Sequence, residues 1–286
     1  MVEDGRVLTA EMTAALRCPV CHHPLAGQIG LKCPRGHSFD VARQGYVHLG
    51  TGGRMPSGDT AEMVMAREEV QSAGLFAPLE EALIQTLTRA APAARLIADL
   101  GAGPGRYLAR ILDERPEAQG LAFDVSKAAL RRAARAHPRM GAVLADAWAR
   151  LPLADGSIDA IVNVFAPRNG REMRRILRPG GVLIVVTPTP VHLGELREAA
   201  GLLDVDPAKQ ERLSATLAGF TPAGDQTVRW RLDLMADQAR KIIMMGPNAF
   251  HGHDRAVPIV THAEVTISTW TGRPLPSRRA DRGAAR

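Results

Sequence analysis

Cysteine is scarce in this chain, with three residues in 286: Cys18, Cys21 and Cys33. Three thiols cannot all pair, so a disulfide-stapled secreted scaffold is excluded and the cysteines are expected as free groups or metal ligands. Long apolar runs are also missing. No stretch approaches the roughly 18 residues that a membrane helix needs. The opening MVEDGRVLTAEM lacks the basic, apolar and small-residue succession of a signal peptide. The expected location is the cytoplasm, with no membrane partner. Lysine is the third shortage: Lys32, Lys127, Lys209 and Lys241 are the only four among 36 basic residues. The net charge of +6 is therefore carried by arginine. It suits a polyanion such as nucleic acid. Arginine bias with abundant alanine also follows from a GC-rich genome, so composition alone does not choose.

What is present begins with CPVCHHPLAGQIGLKCPRGH, which crowds all three cysteines into sixteen positions. The spacing is C-x2-C, eleven residues, then C-x3-H. Two cysteines on a tight turn can offer two thiolates to one tetrahedral ion, and a second turn supplies the other pair. Pro19, Pro34 and Gly36 punctuate the two turns. Zinc suits Cys18, Cys21, Cys33 and His37, and a closed set of four would be structural. His22 and His23 are rival fourth ligands, although each sits where the first turn would have to bend back on itself. A redox pair of Cys18 and Cys21 would leave Cys33 idle. About thirty residues bury little core, so the metal would supply the folding energy.

The rest of the chain divides by pattern. Residues 1–17 read as a leader ending in a short helix, 18–49 as the zinc module, and 50–90 as a Gly-rich connection followed by helices. Residues 91–276 form the large domain, and 277–286 a disordered basic tail. A helix is expected from Asp59 or Thr60, and another over 78–90 with Leu79, Leu83 and Leu87 four apart. Five apolar runs follow: Leu96–Leu100, Gly120–Asp124, Ala142–Asp146, Ala160–Phe165 and Val182–Thr187. Helical segments separate the first three, a βαβα rhythm that implies a parallel sheet covered on both faces. Val228–Leu234 and Glu264–Trp270 alternate and predict an antiparallel pair at the end of that sheet, making seven strands.

The strand Ile97–Leu100 runs into a loop with Gly101, Gly103 and Gly105, then a helix. Glycines there let a ligand approach the backbone at the carboxyl edge of the sheet. A dinucleotide would want many N–H donors for its pyrophosphate. Pro104 removes one, and Asp99 would repel phosphate but attract an amino group. The second and third strands end in Asp124, suited to ribose hydroxyls, and Asp146, suited to an adenine amino group. Three acidic strand ends without a phosphate clamp point to S-adenosylmethionine. The bland alternative, that each Asp caps a helix, is reasonable for one Asp and weaker for three. Asn163 begins NVFAP at the fourth strand end, which faces the methyl group in methyltransferases of this architecture. A satisfied loop amide is its competing reading.

CPxC…CxxGHxFDxARQGYV, DTAEMVMAR, DLGAGPG, NVFAPRN and TPTPVHLGEL together resemble the bacterial 23S rRNA guanine-N1 methyltransferases. The closest likeness is to the actinomycete branch that confers resistance to tylosin- or mycinamicin-like macrolides. It spans roughly Leu16 to Pro276. The resemblance implies an α/β, Rossmann-like S-adenosylmethionine-dependent methyltransferase with a small N-terminal zinc-binding domain. It implies 23S rRNA as the partner, with the target guanine in a hairpin near the peptide exit tunnel, of the 748 class over the 745. It matches Cys18, Cys21, Cys33 and His37 to the zinc set, and Gly103 and Pro104 to the cofactor loop. It also matches His192 to a cofactor contact, and places Phe76 where relatives carry Tyr. Oligomeric state, a homodimer included, stays open.

Guanine N1 lies on the Watson–Crick edge, so the base must be unpaired or flipped out. Asn163 and the backbone around Ala166–Pro167 are expected to orient it. The zinc module and its arginine-bearing surroundings, Arg35, Arg43 and Arg54, are expected to grip the RNA backbone. The module is expected to be separable, so that losing residues 1–49 spares cofactor binding. A small-molecule methyltransferase, a non-catalytic RNA-binding protein and a nicotinamide oxidoreductase are the competing readings. The missing phosphate clamp argues against the last.

Overall fold

The computed structural model describes residues 8–28, 30–50, 55–202, 209–246 and 256–272. Arg54 and the expected tail at 277–286 lie outside them. In chain order the elements are α1 (Ala10–Ala15), β1 (Gly30–Lys32), β2 (Ser38–Asp40), β3 (Tyr46–His48), α2 (Ala61–Ser72), α3 (Ala77–Ala90), β4 (Leu96–Leu100), α4 (Arg106–Asp113), β5 (Gln119–Asp124), α5 (Lys127–Ala136), β6 (Met140–Leu144), β7 (Ile158–Val164), α6 (Gly170–Ile176), β8 (Leu177–Pro188), α7 (Gly194–Ala200), α8 (Lys209–Thr216), β9 (Phe220–Leu234), α9 (Ala236–Met244) and β10 (Ile259–Gly272).

Local chemistry sets the helix starts. Thr60 accepts from the Met63 N–H at α2, and Ser126 accepts from the Ala129 N–H at α5. Strands β4 and β6 are buried at every position, as parallel strands covered on both faces must be. Alternation assigns their side chains to two layers. Leu96, Ala98 and Leu100 face one core, and Ile97 faces the other.

The main sheet has the order β3-β6-β5-β4-β7-β8-β10-β9. The ladders from β3 to β8 are parallel, and β10 runs antiparallel to both β8 and β9. The seven expected strands are present, the third at Met140–Leu144, so that Asp146 lies past its end. An eighth was not foreseen. Strand β3 pairs with β6, Tyr46 against Ala142 and His48 against Leu144.

That pairing revises the expected separability of residues 1–49. Leu8, Met12, Leu16, Leu25, Leu31, Val47 and Leu49 are buried in the same core as Phe123, Val143 and Leu183. Leu16 bridges to Leu153, and the Arg17 N–H donates to the Pro152 carbonyl at 2.9 Å. Each fully buried Leu or Met contributes about 1.5–3 kcal/mol. The apolar area that the ribbon shares with the sheet therefore supports its fold alongside the metal. Deleting 1–49 would strip one layer from β5 and β6.

Candidate active site

In the N-terminal module, β1 and β2 form a hairpin with Leu31 opposite Phe39. Its ends bring Cys18, Cys21, Cys33 and His37 together, with all ligand atoms within 4.8 Å of one another. Cys18 Sγ lies 3.5 Å and Cys33 Sγ 3.3 Å from His37 Nδ1, and Cys21 and Cys33 sulfurs are 3.6 Å apart. A tetrahedron with Zn–S bonds near 2.3 Å has edges of about 3.8 Å, so the set fits one zinc ion. His23 is turned away, its Nδ1 bonded to the Cys21 carbonyl at 2.9 Å. Backbone N–H groups of Arg35 and His37 point at the Cys33 sulfur. Burial pushes that thiol up, but those donors and its neighbours prevail and hold it at about 6, toward the thiolate a metal needs.

The second site is a cavity of about 840 Å³ at the carboxyl ends of β4, β5, β7 and β8. The strand order reverses direction between β4 and β7, which opens a crevice there. Asp99, Asp124 and Asp146 all line it, with Gly101, Gly103, Phe76 and His192. Asp99 is 1% exposed. Burial, and then the neighbouring Asp124, push its carboxyl up to about 8. Neither of its oxygens has a hydrogen-bond partner, and the same holds for Oε1 of Gln71 on the same wall. Buried acceptors left unpaired are costly. An ammonium group would satisfy them, so the residues present fit the methionine end of S-adenosylmethionine.

Asp124 does not cap its helix. It accepts from the Gly103 N–H and the Ser126 N–H, both at 2.8 Å, and ties the two cofactor loops together. Burial raises its pKa, partly offset by those two donors. Its remaining lone pairs are free for ribose hydroxyls. Asp146 accepts from the Trp148 N–H at 2.9 Å, which fixes the turn after β6. Phe76 is 1% exposed and held edge-on by Trp230, with ring centres 5.4 Å apart. His192 Nδ1 is 2.9 Å from the Glu264 carbonyl and 3.1 Å from the Glu264 N–H, which ties it to β10.

Three expected site residues are placed elsewhere. Pro104 and Gly105 do not form part of the cavity wall. Gly105 has φ +84°, and a Cβ there would come within 3.1 Å of Ala133, so it serves the packing of α4 on α5. Asn163 is fully buried. Its amide donates to the Leu100 carbonyl at 2.7 Å and the Pro167 carbonyl at 3.1 Å. Its donor side thus positions the loop after β7, while its Oδ1 is buried without a hydrogen-bond partner. Conversely, the wall includes Pro56–Asp59, Arg67, Gln71, Trp148 and Arg168, which the sequence pattern did not flag. The Gly-rich connection reaches the cavity because the Ser126 hydroxyl donates to the Asp59 carbonyl at 2.7 Å, with Asp59 also ion-paired to Arg67.

A Rossmann-like sheet with acidic strand ends, a cradle for an ammonium group and, among the described residues, no phosphate clamp defines an S-adenosylmethionine-dependent methyltransferase, here joined to a zinc ribbon. Family models agree: "RlmA, N-terminal" matches residues 16–50 and "Methyltransferase domain" matches residues 97–181. The chain belongs to the 23S rRNA (guanine-N1-)-methyltransferase family. It is 53% identical over 256 residues to the 23S rRNA (guanine-N(1)-)-methyltransferase of Micromonospora griseorubida, covering 82% of this chain and 87% of that one. It is 47% identical over 272 residues to the 23S rRNA (guanine(748)-N(1))-methyltransferase of Streptomyces fradiae, covering 91% and 97%. The Bacillus subtilis relative YxjB is 32% identical over 233 residues, covering 78% and 81%.

S-adenosylmethionine supplies a methyl group on a sulfonium, already a strong electrophile. The protein's task is chiefly to hold the acceptor in line with it and keep the cavity dry. Asp99 and Gln71 can anchor the amino end, Asp124 the ribose side, and Phe76 an apolar flank.

Proposed function

We propose that this chain methylates N1 of a guanine in 23S rRNA, of the 748 class over the 745, in a hairpin near the peptide exit tunnel. In this reading the modification confers resistance to macrolides such as tylosin or mycinamicin, and the enzyme acts in the cytoplasm. The observation that carries it is 47% identity, over 97% of its length, to the Streptomyces fradiae protein whose name specifies guanine 748. No described helix is long and apolar enough to cross a membrane. Arg35 and Arg43 are exposed on the zinc module and suit contacts to RNA phosphates. The test is methyl transfer from labelled cofactor to 23S rRNA, with the product mapped by reverse-transcription stops. A stop at 748 is expected. A stop only at 745, or transfer only to small molecules, would refute the reading. Light scattering of the same preparation decides between a monomer and a homodimer.

A further inference from the structure

We infer that Arg168 is the residue that reads and activates the target guanine, with its guanidinium on O6 while N1 faces the methyl group. The inference rests on the guanine-N1 reading above and goes beyond it by naming the group that makes N1 reactive.

Arg168 lines the cavity just beyond β7. Its Nε is buried without a hydrogen-bond partner, and among the described residues no carboxylate pairs with its guanidinium. Burial pulls its pKa down, as expected for a cation held without an anion. By contrast Arg67, on the same wall, is ion-paired to Asp59. The Arg168 side chain is half-buried, and its buried Nε–H is satisfied once a ligand brings an acceptor. The acidic strand ends meet the cofactor's donors, and Arg67, whose guanidinium lies against Gly103 of the cofactor loop, is placed for its carboxylate, which leaves Arg168 for an acceptor on the incoming base.

The surroundings suit a flipped base. Trp148 and Phe165 are both exposed at the same mouth, 61% and 40%. Phe165 has φ +54°, a strained conformation for a bulky residue, and its ring lies 5.9 Å from that of His192. Such rings offer stacking faces to an unpaired base. The loop carrying Phe165 and Arg168 cannot drift. Asn163 pins it, and a Cβ on Gly101 would fall 2.3 Å from the Ala166 Cβ, so it presses directly on the cofactor loop.

The chemistry balances. The N1–H proton leaves to water, and its electron pair delocalises onto O6. N1 then forms a bond to the methyl carbon as the carbon–sulfur bond breaks, and sulfur takes that pair to become a thioether. Arg168 moves no proton. It stabilises the charge on O6, where a fixed cation is worth most because the site is dry. Adenine carries an amino donor at the same position and would be repelled.

The test compares wild-type enzyme with Arg168→Gln and Arg168→Lys on a 23S rRNA hairpin transcript. In Arg168→Gln, the rate at saturating RNA is expected to fall about 10²–10³-fold. The rising limb of its pH profile should move alkaline by about one unit or more. Affinity for S-adenosylhomocysteine should stay within about twofold. Arg168→Lys keeps the charge and should lie between the two, and it carries the same pH test if the Gln variant does not fold. Unchanged kcat with weaker RNA binding would make Arg168 a phosphate contact, and lost S-adenosylhomocysteine binding would make it structural; either result overturns the assignment. A wild-type enzyme that leaves guanine N1 unmethylated would instead overturn the underlying reading.

Discussion

Asp99→Asn should uncouple cofactor binding from protons. With its carboxyl at about 8, Asp99 is some nine-tenths protonated at pH 7 in the free protein. An ammonium group arriving against its two unpartnered oxygens favours the charged form and expels that proton. Binding of S-adenosylhomocysteine, which carries the same amino group, should therefore release close to one proton per site. Its affinity should climb nearly tenfold per unit between about pH 5.5 and 7. The Asn side chain has the same shape and no charge. It should weaken binding by about 1.5–3 kcal/mol, or about 10–150-fold, as expected for a lost charge-assisted contact. Proton release and the pH slope should vanish with it. Isothermal calorimetry in two buffers of different ionisation enthalpy reads both quantities. A second readout comes from stability. The folded carboxyl titrates above the unfolded one, so the free protein loses stability as pH rises from about 4 to about 8. The limiting slope is about 1.4 kcal/mol per unit, and Asp99→Asn should flatten it. Wild-type binding that releases no proton, with an affinity independent of pH, would refute this account of Asp99.

The remaining expectations are simpler. Elemental analysis should find one zinc per chain. Cys33→Ala or chelation should release it and also lower the melting temperature of the whole protein, because Cys33 shares a core with the sheet; a ribbon that loses metal while the sheet melts unchanged would contradict this. Asp124→Ala should weaken S-adenosylhomocysteine binding by about 1.5–3 kcal/mol, and calorimetry showing equal affinity would remove it from the site. Asn163→Ala strips the donor from the Leu100 and Pro167 carbonyls and should cost about 1–3 kcal/mol in denaturant unfolding. It should lower kcat more than it lowers cofactor affinity, and a variant that lost cofactor binding first would place Asn163 in the cofactor site.

Where sequence and structure agree, the signal was local. Strands β4 to β8 each carry a short, mostly apolar run, and the metal set is fixed by spacing within twenty residues. The acidic strand ends lie where chain direction alone puts them, at the carboxyl edge. The misses depend on register and distance. Asn163 sits on a strand, where a shift of one position turns a side chain from the cavity into the core, and the ladder that decides this is made with β4 and β8. Gly105 looked like part of a ligand cradle because its spacing matches one, yet its neighbour is Ala133 on α5. Strand β3 is three residues long, too short for periodicity to register. Arg168 and Gln71 become notable through one buried atom each, Nε and Oε1, that lacks a hydrogen-bond partner, which no linear pattern records.

The pairing of β3 with β6 has a consequence for how the chain is made. The ribbon is synthesised first, but Tyr46 meets its partner Ala142 only after 96 further residues have been added. Until then the ribbon holds out an unpaired strand edge and an apolar face, which invite association with other chains. Early metal capture would keep that edge in one conformation while the sheet is completed behind it. A cell short of zinc should then lose this protein to aggregation and proteolysis during production, well before any finished enzyme lost its activity.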